Sequence, residues 1–328
     1  MRTGRTESGA ATGRAGNRSL RALGVVIGGG FLAATIGGFL GRLWWPFDLA
    51  SSFRPHYIVG LALAVALLAL TGERRLVWVA LVGMAINLYL VVPLYVGSPA
   101  PAAAGSSFLR ILSFNVSADN DNTAEVMELF RSSNADLIFI FEGGPQWEEA
   151  INGADLPYDL SPGLPTAFGF GNAILVRSGV DVKLRGVPVG PNTPRARELD
   201  MEFDGMPIRL LAVHPPSPTS PGKVATRDEQ LAGVVDWAAD QDRPVVVVGD
   251  LNASPWSHAF RPLADSDLVN SLNGFGLQAT WPAVLGPFGV PIDHLLHSAE
   301  FTTVTRRTGP SMGSEHRSVF ITLALAAG

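Results

Sequence analysis

The stretch VVVVGDLNA, residues 245–253, decides how the rest of the chain is read. Four β-branched residues in a row have few good fates besides a buried strand. Gly249 ends the run, and Asp250 and Asn252 follow with one apolar residue between them. Residues two apart at an extended strand end point to the same side, so both polar heads should emerge together at the rim. A carboxylate beside an amide suits a phosphate ester: one orients or deprotonates water, the other donates a hydrogen bond to a phosphoryl oxygen. The same residues also fit a strand followed by an Asx-type turn, which is common.

Other polar residues share this placement. Asn115 stands at the end of FLRILSFNV, Glu142 at the end of ADLIFIFE, and His214 just beyond the strand expected at 208–213. Asp293 lies in PIDHLL at the strand expected at 291–296, and His316 in SEHRS just before the one at 318–323. Singly, each has an ordinary reading as a turn residue, a strand end, a satisfied core group or an exposed side chain. Together they fall where open α/β sheets gather their site residues, along one edge of strand ends. Further strands are expected at 172–177, 198–203 and 301–306. Amphipathic helices are expected at 123–132, with Asn122 as a cap, and at 224–239, and a short one at 256–263. Many strands with interspersed helices imply an α/β domain with a layered sheet core.

Composition divides the chain in two. Of 328 residues 47% are hydrophobic and 16% charged, and none is cysteine, which excludes disulfides and thiolate metal sites. The apolar excess lies before Phe108, in stretches 22–43, 56–71 and 76–96, which read as three membrane spans, the second at the short limit. The expected organisation is a polar, disordered tail (1–19), three transmembrane helices (20–97), a Pro/Ala/Gly/Ser linker (98–107) and a globular domain (108–328). Asn87, a lone polar residue in the third span, could bond across helices. Five Arg in the first 21 residues, and Arg74 and Arg75 between the second and third spans, place the N-terminus inside. The loop between the first two spans holds only Arg42 and Arg54 and opens with Trp44-Trp45, suited to an interfacial belt, so the domain falls on the outer side. Of 24 basic and 29 acidic residues, nine and three precede Phe108; 15 and 26 remain, so the domain carries a formal charge of −11. Such a surface repels phosphate polyanions unless a cation or a local basic patch intervenes, which counts against non-specific DNA binding.

SFNV, the FE of IFIFEGG, FGNAILVRS, LAVHPPSP, VVVVGDLNASPWS, the TWP of ATWPAV, PIDHLLHS and SEHRSV resemble, in the same order, the endonuclease/exonuclease/phosphatase (DNase I-like) superfamily. The resemblance covers Phe108 to the C-terminus, and GDLN and the late D…H pair are its most specific parts. The anchored architecture also resembles bacterial membrane proteins linked to teicoplanin resistance, which join three spans to an extracytoplasmic domain of this kind. The resemblance implies two packed β-sheets flanked by helices and a multi-pass protein of a bacterial cytoplasmic membrane. It implies Glu142 as principal Mg²⁺ ligand with Asn115 beside it, and oxygen-only ligands suit a hard cation, Mg²⁺ or Mn²⁺. Asp250 would orient or activate the attacking water, Asn252 contact the phosphate, and His316 bind the phosphoryl group with Asp293 fixing its tautomer. His214 would stand near the leaving group and Asn172 line the site.

Two departures qualify this. Glu315 stands where the family usually carries Asp, which weakens it as a further metal ligand. The family's catalytic tyrosine has no counterpart, since Tyr158 alone among four tyrosines lies in the domain and its context differs. The expected activity is hydrolysis of a phosphate ester at the outer membrane surface, on a lipid-linked substrate such as a phospholipid or a polyprenyl (pyro)phosphate. The loop SPGLPTAFGFG, with Phe168 and Phe170, could meet lipid there or simply pack. An extracytoplasmic nuclease and a non-catalytic membrane-bound binding module are the other readings, with nucleic acid the less favoured partner.

Overall fold

The computed structural model describes residues 7–97, 99–161 and 171–327, with side chains from residue 16 onward. Phe168 and Phe170 lie outside the described residues. The chain divides into two compact units, one of 1–93 with 256–258 and one of 94–255 with 259–328.

The first unit is helical: α1 (Glu7–Gly37), α2 (Trp45–Ser51), α3 (Arg54–Leu70) and α4 (Arg74–Val91). Residues 16–37 and 74–94 are long and apolar enough to cross a membrane; α2 and α3, bent by 71° where they meet, make a third candidate only if taken together. The first helix begins inside the stretch expected to be a disordered tail and stops at Gly37, short of Leu43, where Gly37, Gly38 and Gly41 withdraw helix propensity. Asn87 does bond across helices: its Nδ2 donates to Thr35 Oγ1 of α1 at 2.9 Å, and its Oδ1 accepts from Arg54 Nη1 of α3 at 3.2 Å.

The second unit begins with β1 (Leu109–Asn115), α5 (Thr123–Ser132), β2 (Leu137–Phe141), α6 (Pro145–Gly153), β3 (Tyr158–Leu160) and β4 (Ala173–Arg177). It continues through β5 (Val182–Val187), β6 (Ala196–Phe203), β7 (Met206–Ala212), α7 (Pro221–Ala239), β8 (Val245–Asp250), α8 (Arg261–Ala264) and β9 (Val269–Asn270). The last elements are β10 (Asp293–His297), β11 (Phe301–Thr308) and β12 (Val319–Leu325). The strands form two six-stranded sheets, in the orders β11-β12-β1-β2-β4-β3 and β5-β6-β7-β8-β10-β9. Among the described residues, only β1 with β2, and β7 with β8, pair parallel; the other pairs are antiparallel.

The side-chain period of two assigns each apolar run to two layers. Ile111, Phe139 and Ile174 of one sheet meet Leu210, Val246, Val248 and Leu295 of the other in the central core. Leu112, Ile138 and Ile140 face the other way, against Val126 and Phe130 of α5 and Trp147 and Ile151 of α6. Leu211 and Val247 pack with Leu231 and Val234 of α7. Val245–Val248 is therefore covered on both faces, which is why no polar residue interrupts it. The result is the expected α/β sandwich: two packed sheets flanked by helices.

Several expectations change in detail. Asn122 occupies the position before α5, yet its side chain makes no capping bond. The helix expected at 256–263 shrinks to the four residues of α8, because 255–260 form turns. The linker is partly ordered as an edge partner: Ala102 bridges Ala326, and Ala103 N donates to Leu325 O at 2.8 Å. The elements α6, β3, β5 and β9 have no expected counterpart; β3 and β9, of three and two residues, are too short to carry a period.

Candidate active site

The polar strand ends meet because the two central parallel pairs finish side by side. Asn115 and Glu142 close β1 and β2, and Asp250 closes β8, where it lies opposite Asp293, the first residue of β10. Gly249 makes the close approach possible. A Cβ there would overlap the carbonyl of Val213, whose N–H donates to Val248 O at 3.0 Å. Hence β8 lies against the segment carrying His214, and any larger residue at 249 would push the two apart.

Asn115 Nδ2 donates to both Glu142 Oε1 (2.9 Å) and Asp250 Oδ2 (3.0 Å), binding the two carboxylates together. Its Oδ1 accepts from Ser117 N at 3.0 Å, so the amide bridges the carboxylates rather than turning its oxygen toward them. His214 Nε2 stands 3.5 Å from Glu142 Oε1 and 3.6 Å from Asp250 Oδ2, at charge-pairing distance but without a well-directed hydrogen bond. Across the site, His316 Nε2 is 3.6 Å from Asp250 Oδ2, and its Nδ1 bonds Asp293 Oδ2 at 2.9 Å. Asn252 donates its backbone N–H to Asp250 Oδ1 (3.0 Å) and one side-chain N–H to Pro215 O (3.1 Å), leaving its second amide hydrogen for another acceptor. Glu142 and Asn252 both have positive φ, 55° and 49°, a conformation that side chains rarely hold without surrounding support.

Charge is distributed unequally. Interaction with His214 holds the Glu142 carboxyl down at about 2, against its partial burial and with help from Asn115. Burial pushes the Asp250 carboxyl up, opposed by His316 and reinforced by Asp293. Burial would lower His316, but Asp293 and Asp250 outweigh it and raise the imidazole to about 9. His214 is likewise raised, burial being overcome by Glu142 and Asp250. The site thus combines a firmly ionised carboxylate, a desolvated carboxyl that takes a proton readily, and two imidazoles biased toward the cationic form.

Glu142, His214 and Asp250 present ligand atoms all within 4.8 Å of one another, as do Asp250, Asp293 and His316. Two converging carboxylates, Glu142 and Asp250, bridged by the amide of Asn115 are an oxygen-rich donor set that fits a divalent metal.

Asn172 is buried just before β4; its backbone carbonyl accepts from Arg197 Nε at 3.1 Å, while its Oδ1 is buried without a partner. Glu315 stands apart. Its side chain is exposed and belongs to neither ligand group, and only its backbone is held, by Ser117 Oγ and Ala283 N. Tyr158 is structural, its hydroxyl donating to Ala135 O at 3.0 Å.

Four supporting residues carry no sequence signal of their own. Ser314 Oγ donates to Asn115 O (2.6 Å) and accepts from His316 N (2.9 Å), pinning the His316 loop to the end of β1. Thr280 Oγ1 accepts from the N–H of Asp293 (3.3 Å), and the buried Arg306 donates to Asp293 O (2.9 Å). Arg227 holds Asn252 O at 3.1 Å. Only the positions of Ser314 and Thr280, within SEHRS and ATWP, hinted at a role.

Among solved structures, TDP2 from D. rerio superposes with a TM-score of 0.55 at 18% identity, covering 66% of this chain and 99% of that one. An endonuclease/exonuclease/phosphatase family protein from Bacteroides thetaiotaomicron gives 0.55 at 15%, covering 68% and 100%. A functionally unknown conserved protein from Enterococcus faecalis gives 0.53 at 16%, covering 66% and 99%. No curated protein matches the chain. At these identities the structural likeness concerns the fold. Residues 112–316, more than half of the chain, match the model of the Endonuclease/Exonuclease/phosphatase family. The chain belongs to that family, and with it to the metal-dependent hydrolases of phosphoric ester bonds.

Proposed function

We propose that the protein is a membrane-anchored, Mg²⁺- or Mn²⁺-dependent phosphoesterase that hydrolyses a lipid-linked phosphate ester at the outer surface of a bacterial cytoplasmic membrane. The observation that carries the chemistry is the unbroken contact chain His214–Glu142–Asn115–Asp250–His316–Asp293. A divalent cation would be held by Glu142, with Asn115 beside it, and would neutralise charge on the phosphoryl oxygens.

The chain's own groups supply the rest. Asp250, pushed toward protonation by burial, orients water and accepts its proton. His316, held cationic, donates from Nε2 to a phosphoryl oxygen, while Asp293 at Nδ1 fixes the ring. Asn252 offers its second amide hydrogen to the same group. His214 faces the leaving-group side, and Asn172 lines the site. Glu315, exposed as it is, adds no ligand in this reading.

The helices at 16–37 and 74–94 support membrane anchoring, and the charge of −11 disfavours a polyanion. The second reading, a nuclease, is favoured by the D. rerio TDP2 structure, which is complexed with a single strand DNA product.

The test is hydrolysis by the purified full chain, in detergent with Mg²⁺ or EDTA, of a polyprenyl pyrophosphate, a phospholipid panel and plasmid DNA. An Asp250→Ala, His316→Ala double variant is the control. Metal-dependent release from a lipid, lost in the variant, is expected; DNA nicking alone would establish the nuclease instead.

A further inference from the structure

The segment joining the Thr280 staple to β10, 279–292, contains no charged residue. Its tip exposes large apolar side chains together: Val284 is 90% exposed, Leu285 46% and Phe288 66%. Singly exposed apolar residues are ordinary, but several clustered on one loop are not, since each keeps apolar surface in water. Nor is the tip a loose end. Trp281 N donates to Val290 O (3.0 Å) and Val290 N to Trp281 O (2.5 Å), closing the base as a bridge. Gly286, with φ 53° and ψ −121°, takes a conformation open only to glycine and turns the tip.

The base of the loop is bonded to both neighbours of His316. Ala283 N donates to Glu315 O at 2.7 Å, and Arg317 N to Thr280 O at 2.8 Å. Thr280 Oγ1 in turn receives the Asp293 N–H. The apolar tip is therefore one rigid step from the His316–Asp293 pair.

We infer that the tip Val284–Leu285–Phe288 inserts into the lipid bilayer and holds the His316 side of the site at the lipid–water boundary. The inference rests on the membrane-anchored reading above. Three observations select lipid as the occupant. First, the tip lacks charge and hydrogen-bonding side chains. Second, the domain's formal charge of −11 provides no electrostatic attraction to anionic surfaces, so contact must be apolar. Third, Gly276, three residues before this segment, donates its N–H to Leu94 O at 2.7 Å, so the segment starts beside the end of the apolar stretch 74–94.

The chain has no cysteine, so a single one can be labelled cleanly. Val284→Cys and, as a control on the exposed edge strand β5, Lys183→Cys would each carry an environment-sensitive fluorophore on the full chain in phosphatidylcholine vesicles. Flotation with the vesicles verifies anchoring independently. Emission from position 284 should shift to the blue, resist high salt and be quenched by spin-labelled lipid, while position 183 shows none of the three. A label at 284 that behaves like the one at 183, in protein that floats, overturns the inference. So does a label shielded from aqueous iodide but untouched by spin-labelled lipid, which points to a protein partner or a second copy. Because no turnover is needed, this result stands apart from whether the protein hydrolyses lipid.

Discussion

Asp293→Asn isolates the electrostatic part of the site. His316 is held at about 9 against an ordinary 6.5; burial alone would push it the other way, and Asp293 is the largest of the groups that reverse this. At pH 7.5 an imidazole with a pKa of about 9 is roughly 97% protonated. With the carboxylate gone, burial regains ground against Asp250 and Glu142, and the pKa should fall to about 7 or below, leaving about a quarter protonated at most. At pH 6 the same ring would still be about 90% protonated, so the deficit nearly disappears. The variant-to-parent rate ratio should therefore be at least about fourfold lower at pH 7.5 than at pH 6, on top of any pH-independent loss from a misaligned ring. The assay pairs these two rates with an NMR titration of the six histidines, ¹³C-labelled, in EDTA. If His316 still titrates near 9 in Asp293→Asn, or the ratio is the same at both pH values, the role given to this carboxylate is wrong.

Two other outcomes follow from the packing. Gly249→Ala places a methyl group on the Val213 carbonyl and has to separate Asp250 from His214; we expect a loss of about 1–3 kcal/mol and a collapse of hydrolysis, measured by thermal melting and metal-dependent turnover. A variant that melts and turns over like the parent would show that the approach is not tight. His294, buried with Nε2 on Ala253 O at 3.0 Å, is lowered to about 4 by burial and by Arg306. The unfolded chain then binds a proton that the folded one refuses, so this contribution is intact above pH 6.5 and is lost as pH falls toward 4, up to about 3 kcal/mol. His294→Gln should flatten the acid limb of the melting profile, and an unchanged limb would assign acid lability elsewhere.

What the sequence determined by itself was whatever periodicity and composition can carry. Runs such as 137–141 and 245–248 announce buried strands because both faces of each sheet are covered, and the residues closing them mark an edge where polar groups can reach solvent. Long apolar helices announce themselves similarly. Fold class was readable on these grounds; the family was readable from motifs such as GDLN and the late D…H pair, and the two together marked Glu142, Asp250 and His316 as site candidates. Tertiary structure decided how these groups are used. Asn115 bridges two carboxylates rather than turning its oxygen to them, and Glu315 points to solvent, because neither orientation is encoded in the local run. Ser314, Thr280, Arg227 and Arg306 are ordinary polar residues in sequence, and only packing brings them onto the backbone of Asn115, Asp293 and Asn252. The exposure of Val284 and Leu285 was likewise hidden: an apolar loop and an apolar core segment have the same composition. Long-range placement separates them, since burial belongs to the folded surface and not to the residue.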